Sequence, residues 1–369
     1  MFNNFFNYYR TYDFTRNRPD LYYDNILPNI SKNLYNGKYL DNNFSEFLSL
    51  VNPEKVMNKS YEPKDYGASE ITRMKSKYEN IYQDYKNKFN NNTLKWQRVS
   101  FSVYKNEEYD LFKSSSIIQG SLGNCFMISF LKGMQKFQKQ RFDNLFYYYY
   151  YDIGYFEVEL YTDQGKKWIF VDDIIPYYSS NNAPYFSHLN CYDKSKACRL
   201  LLIEKVLAKY YDSYENIKGR NVKPNKFIYA LTGKDPKCLY SIYYTIEDGG
   251  PDNKLNKIYW EVSSGLSKNA VIVITSSANV KVNGILSNHA YAIIDVSYYY
   301  NIIVFTLYNP HGYNDQNSMK NFRVNLNNND AENYLYNYNN SALNLNNGNL
   351  KIDGINLINN FNDIYITYF

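Results

Sequence analysis

The run Gln119-Gly120-Ser121-Leu122-Gly123-Asn124-Cys125-Phe126, continued by Met127 to Phe137, constrains this chain more than any other stretch. Gly120 and Gly123 supply a flexible approach, Asn124 is a residue type that caps helices, and Cys125 stands where the first turn begins. Phe126, Ile128, Ser129, Phe130, Leu131 and Met134 then continue a mostly apolar helix without proline. The free N–H groups and macrodipole of a first helical turn favour an anion, so they draw a cysteine placed there toward the nucleophilic thiolate. Gln119 lies six residues upstream, and its side-chain N–H can return over the loop to meet a carbonyl oxygen that is turning negative. The competing reading makes Cys125 a small buried hydrophobe in a glycine-containing turn.

A chain of 369 residues and 43.8 kDa can bury a large core and divide into two domains or more. Its formal net charge of +5 is small for that size and its charges are interspersed, so no nucleic-acid partner is implied. Tyr (44) is heavily used while Gly (16) and Pro (10) are scarce, which looks like coding bias. Runs such as Tyr147 to Tyr151 and Asn90 to Asn92 therefore carry no functional weight, although tyrosine takes over much of the aromatic burial. The four cysteines, Cys125, Cys191, Cys198 and Cys238, have neither C-x-x-C spacing nor the density of a disulfide framework. The start, Met-Phe-Asn-Asn-Phe-Phe-Asn-Tyr-Tyr-Arg, lacks the plan of a secretory signal, and no stretch reaches the roughly 20 apolar residues of a membrane helix. A soluble, cytoplasmic protein is expected.

Residues 1–65, punctuated by Pro19, Pro28, Pro53 and Pro63, read as an N-terminal extension, packed on the body or partly mobile. Apolar positions at helical spacing from Ala68 through Ile71, Met74, Tyr78, Ile81, Tyr82 and Tyr85 predict an amphipathic helix over 68–89. Trp96 to Tyr104 reads as an extended connection to the Cys125 loop. Past that loop's helix, Tyr147–Thr162 and Lys167–Tyr178 read as strands joined by Asp163-Gln164-Gly165. Asp172 and Asp173, adjacent carboxylates at a strand end, are expected to be solvated, with cation binding the alternative. A helix over 195–211 has Leu200, Leu201, Ile203, Val206, Leu207 and Tyr210 as its buried stripe. The pattern breaks at Lys218-Gly219-Arg220, so the boundaries are drawn as 1–65, 66–219 and 220–369. Beyond the break come helices over 226–231 and 255–266 and strands over 270–276, 289–298 and 302–308, which makes the second half mainly β.

The chain has three histidines. His289 opens the strand His-Ala-Tyr-Ala-Ile-Ile-Asp-Val, and the next strand ends in Asn309-Pro310-His311-Gly312. If the two strands pair as a hairpin, Asn309 can hold one imidazole nitrogen of His289 and leave the other facing a thiol. His188 lies in a loop region and reads as structural or exposed, and His311, which beside Asn309 could approach the site, reads as shaping the Asn-Pro turn before catalysis.

These motifs, in this order, resemble the calpain family of papain-like cysteine proteases, from about residue 96 to the end of the chain. The family's Gln-Gly-x-Leu-Gly-Asp-Cys-Trp is matched by Gln119 to Phe126, its Gly-His-Ala-Tyr by Asn288 to Tyr291, and its Asn-Pro-Trp-Gly by Asn309 to Gly312. Val171 to Pro176, Leu202 to Lys209 and Ser213 to Glu215 also look like segments of that core. The resemblance implies an α+β fold: a papain-like two-lobed core with a helical nucleophile lobe and a β-rich His/Asn lobe that close on each other. It implies Cys125 as nucleophile, His289 as general base and acid, Asn309 as its orienter and Gln119 as oxyanion donor beside the Cys125 N–H. Substrates would be proteins or peptides, hydrolysed through a thioester.

Four residues depart from the family's motifs: Asn124 for Asp, Phe126 for Trp, Asn288 for Gly, and His311 for the tryptophan that covers the triad. Ser116 and Ala197 stand where the family's calcium carboxylates align, and Tyr313-Asn314-Asp315-Gln316 lacks an expected Glu-Trp pair. Hard cations need several oxygen ligands, so no cofactor is expected and the two core calcium sites are expected to be lost or weak. The end of the chain falls where the resemblance ends the core, so no EF-hand or C2-like domain is expected. A noncatalytic protein-binding scaffold and another acyl-transfer activity at the same site are the alternatives.

Overall fold

The computed structural model describes residues 34–35, 38–41, 44, 68–99, 117–145, 148–150, 154–189, 200–219, 221–239, 251–281, 285–299, 302–312 and 348–369. Most of the N-terminal extension, the end of the 96–104 connection, Ser116, Cys191, Cys198, Ala197 with the start of the 195–211 helix, and Tyr313 to Gln316 lie outside these residues.

The first described elements are a small antiparallel pair, β1 (Leu34–Tyr35) and β2 (Lys38–Tyr39). In α1 (Ala68–Asn90), Tyr78 and Tyr85 lie two turns apart and are buried, as the helical spacing requires. Phe89 at its end stacks on Trp96 of β3 (Leu94–Arg98), with centroids 4.7 Å apart. After β4 (Ile117–Ile118) the helix that follows the glycine-containing loop, α2 (Cys125–Phe137), starts at Cys125 as expected. Met127 to Leu131, Gly133 and Met134 are all buried, the pattern of a helix enclosed on most sides. Gly133 permits this: a Cβ there would lie 2.6 Å from a Val271 methyl.

After α3 (Lys139–Asn144), β5 (Tyr148–Tyr150), β6 (Tyr155–Thr162) and β7 (Gly165–Asp172) form a three-stranded antiparallel sheet, with Asp163 and Gln164 in the tight turn. β8 (Ile174–Tyr178) pairs with β3, and β9 (His188–Leu189) pairs with β4, setting His188 opposite Ile118. Leu200 to Ala208 are buried throughout α4 (Leu200–Tyr210). A 3-10 turn (Glu215–Ile217), α5 (Pro224–Thr232) and β10 (Lys237–Leu239) lead to α6 (Pro251–Ser267).

The second half is dominated by a six-stranded antiparallel sheet in the order β10, β15 (Phe361–Thr367), β11 (Val271–Ser276), β12 (Ala290–Tyr299), β13 (Ile302–Tyr308), β14 (Asn349–Asp353), with α7 (Gly354–Asn360) between β14 and β15. The uninterrupted apolar run of β11 has a simple cause: successive side chains point to opposite faces, and both faces are covered. Val271 and Val273 join the core built around α2 and α4, whereas Ile272 and Ile274 join a second core with Val262 of α6 and Leu357 of α7. The α2 helix thus lies directly on the sheet that carries His289 and Asn309.

One expectation fails here. Asp172 and Asp173 are buried rather than solvated. Asp172 pairs with Lys205 of α4 and accepts from the N–H groups of Asp41 (2.8 Å) and Ile174 (2.9 Å), while Asp173 pairs with Arg98. Lys209, one turn beyond Lys205, reaches Asp41 at 2.6 Å. Buried charges persist only when paired, so this network holds Asp41, from the N-terminal extension, against α4 and β7.

Candidate active site

The Cys125 loop is held from both sides before its helix begins. A Cβ on Gly120 would lie 2.1 Å from the Phe186 carbonyl oxygen, so only glycine fits there. The Gln119 N–H donates to the Pro310 carbonyl at 2.7 Å, the Ser121 N–H to Tyr185 at 3.0 Å, and the Gly219 N–H to Gly123 at 2.6 Å. The first of these bonds ties the loop directly to the Asn-Pro turn.

Asn124 precedes the helix but its side chain does not cap it. The amide instead donates to Glu204 Oε1 at 2.6 Å, and Glu204 also takes the hydroxyl of Ser187 and the Ser187 N–H (3.1 Å). Glu204 is fully buried, and burial pushes its carboxyl up to about 7 against the pull of those donors. The sequence did contain a signal for this residue: Glu204 interrupts the apolar stripe of Leu200, Leu201, Leu207 and Ala208, and a charge on such a stripe needs a partner.

His289 is fixed through its backbone. Its N–H donates to Ser276 Oγ at 2.9 Å, and its carbonyl accepts the Ser276 N–H at 2.8 Å. The residue before it, Asn288, has φ +52°, inside the left-handed region that asparagine tolerates better than any other residue bearing a Cβ. This is the physical reason that asparagine can stand where the motif has glycine. Asn288→Gly is expected to leave stability within about 0.5 kcal/mol, and Asn288→Val to lose about 1–2 kcal/mol, read by urea unfolding.

The hairpin forms as expected, with Ala292 opposite Tyr308 and Ile293 opposite Leu307. It brings His289 Nε2 to 3.0 Å from Asn309 Oδ1. The same oxygen accepts the backbone N–H of His311 at 3.1 Å. Two donors converging on Oδ1 identify it as the carbonyl of the amide, so Nε2 carries the proton and Nδ1 holds the lone pair. The Gly312 N–H closes the turn on the Asn309 carbonyl at 2.9 Å. His311, expected to shape that turn and able to approach the site, lays its ring parallel to His289, with centroids 4.7 Å apart and planes 6° apart. Tyr291 meets His289 edge-on at 5.0 Å.

The helix of Cys125 meets the same strand. Ser129, one turn on and on the same helix face, donates to the Ala290 carbonyl at 3.0 Å. Burial pushes the Cys125 thiol up, and the backbone N–H groups of Ala290, Phe126 and Cys125 itself pull it partly back. The expected drift toward thiolate is therefore outweighed in this conformation, because desolvation exceeds the help of the helix start. His289 is moved the other way, down to about 4, first by burial and then by His311, with the Asn309 bond opposing. At neutral pH the arrangement holds an uncharged thiol and an uncharged imidazole.

Gln119 is buried, and one N–H of its amide lies on the Leu122 carbonyl at 2.6 Å, which keeps the side chain over the loop before Cys125. Among the described residues, no cluster of His, Cys, Asp and Glu gathers as metal ligands, and no helix is long and apolar enough to cross a membrane.

A search of curated proteins found no match. The model of the calpain family of cysteine proteases matches residues 72–364, from α1 into β15. That span is most of the chain and contains the loop and helix of Cys125, the hairpin flanked by His289 and Asn309, and the turn after it, so the chain belongs to the calpain family of cysteine proteases.

Proposed function

We propose that the chain is an intracellular cysteine endopeptidase in which Cys125, His289 and Asn309 form the triad, with no calcium needed at the core. The observation that carries this reading is the His289–Asn309 bond at 3.0 Å, which leaves Nδ1 as the free base on the strand that α2 packs against. The thiol of Cys125 gives its proton to Nδ1 as sulfur attacks the substrate carbonyl carbon. The resulting oxyanion takes the Cys125 N–H and the Gln119 amide, which leaves the Leu122 carbonyl to do so. His289 then delivers the proton to the departing amine, and a thioester remains. Water, deprotonated by the same nitrogen, hydrolyses it. Asn309 keeps the ring in the one tautomer that can act.

The two lobes, proposed as 66–219 and 220–369, would receive the peptide between them. Calcium independence rests on Ser116 and Ala197, which bring no carboxylate to positions where the family's ligands align.

The test is labelling with a peptidyl chloromethyl ketone, in chelator and in calcium, of wild type and Cys125→Ala. Stoichiometric labelling of wild type alone, equal in both buffers, is expected. Labelling only with calcium would overturn the calcium claim. No labelling in either buffer would leave a protein-binding scaffold.

A further inference from the structure

We propose that His311 is a positioning residue for this reaction: by lying flat on His289 and sharing Asn309 with it, His311 lets the two imidazoles carry one proton between them. The proposal rests on the endopeptidase reading for its kinetic consequence, but its geometry stands apart from that reading. The rings are 4.7 Å apart at 6°, and Asn309 Oδ1 receives Nε2–H of one residue and the backbone N–H of the other. A rotation of the His311 ring therefore uncovers the face of the base, while the backbone N–H of His311 stays on the acceptor that orients it.

The groups around His289 come from three elements. Asn309 and His311 belong to the turn after β13. Tyr291 on β12 meets the ring edge-on, and its hydroxyl accepts the Leu286 N–H at 2.8 Å; burial holds it far above the ordinary tyrosine range, so it stays neutral. Cys125 comes from α2, where its thiol, pushed up by burial, lies against the Ala290 N–H. Among the described residues in these elements, His311 is thus the neighbour able to present a positive charge to the ring of His289 as pH falls.

An indole in this position would cover the His–Asn contact without ever being charged. An imidazole covers it while neutral and repels a proton on His289 once charged. Burial lowers His311 itself, so it remains an uncharged cover at neutral pH. When His289 takes the thiol proton during attack, the charge of the new imidazolium keeps a second proton off the His311 ring that faces it.

The experiment separates cover from charge. His311→Phe keeps a flat apolar ring, His311→Trp does the same with more area, and His311→Ala removes both. Imidazole NMR titration of His289 is first followed in the Cys125→Ala background, where no activity is required. Its midpoint is expected to rise by about one pH unit in His311→Phe and in His311→Trp. With Cys125 restored, the acid limb of kcat/KM should move up by the same amount while the plateau kcat stays within about threefold. His311→Ala should also lose plateau kcat, by about tenfold or more. An unmoved His289 midpoint in whichever ring variant folds overturns the proposal and leaves His311 as a cover only. Absence of peptide hydrolysis in wild type would instead overturn the endopeptidase reading, and the titration would still decide the coupling.

Discussion

His289→Ala is expected to lower kcat/KM on a fluorogenic peptide by about 10³- to 10⁴-fold, with the pH dependence of the residual rate flattened. The size follows from the resting charges. Burial pushes the Cys125 thiol up, so little thiolate exists at neutral pH without a base to receive the proton. In wild type the rate should hold at neutral pH and fall as pH drops through about 4, where the imidazole itself becomes protonated. Asn309→Ala should cost less, because the imidazole remains present and the His289 backbone stays fixed through Ser276, yet it frees Nε2 to lose its proton and admits the wrong tautomer. A rate for His289→Ala within tenfold of wild type, in protein with an unchanged urea midpoint, would show that His289 is not the base.

The largest effect on stability is expected from Lys205→Met, which should cost about 3–5 kcal/mol by urea unfolding at pH 7. Lys205 and Asp172 are both almost fully buried, and their pairing is what makes the carboxylate bearable inside the protein. Burial alone would raise Asp172, but the charge and hydrogen bond of Lys205, with the N–H groups of Asp41 and Ile174, leave its carboxyl below the ordinary value. The sign follows. A carboxyl lowered by folding contributes stability above its unfolded pKa, and loses it as pH falls through the folded one. Lys205→Met inverts that dependence, since an unpaired buried carboxylate prefers its proton, so the variant should gain on wild type as the solution is acidified toward pH 4. Asp172→Leu combined with Lys205→Met should recover most of the loss. Asp41 hangs from both Asp172 and Lys209, so the single variant should also expose the N-terminal extension to limited proteolysis. Equal urea midpoints for Lys205→Met and wild type would refute the account.

Much of the fold could be read from periodicity, because the elements that matter carry strong local patterns. The start of α2 at Cys125, the two-residue turn after Thr162 and the β12–β13 hairpin all rest on spacing that neighbouring residues impose on one another. Local patterns were less informative at the polar residues. Asn124 is a good capping residue type, yet its amide is taken by Glu204, eighty positions away, and a cap competes poorly with a buried carboxyl. Asp172 and Asp173 resemble a solvated strand end until Lys205 and Arg98 are packed over them. The thiol of Cys125 sits at a helix start that favours charge, within surroundings that favour neutrality.

The sequence by itself determined which groups are present, in what order, and on which helix, strand or turn each is mounted. Those features depend on backbone propensity and on side chains a few positions apart. Only the tertiary structure decided the charge each group holds and the neighbour it answers to: Glu204 beneath the Cys125 loop, His311 across the face of His289, Ser129 pinning α2 to Ala290. Desolvation and pairing act over a few ångströms of space regardless of the distance along the chain, and no local pattern encodes what will be packed there.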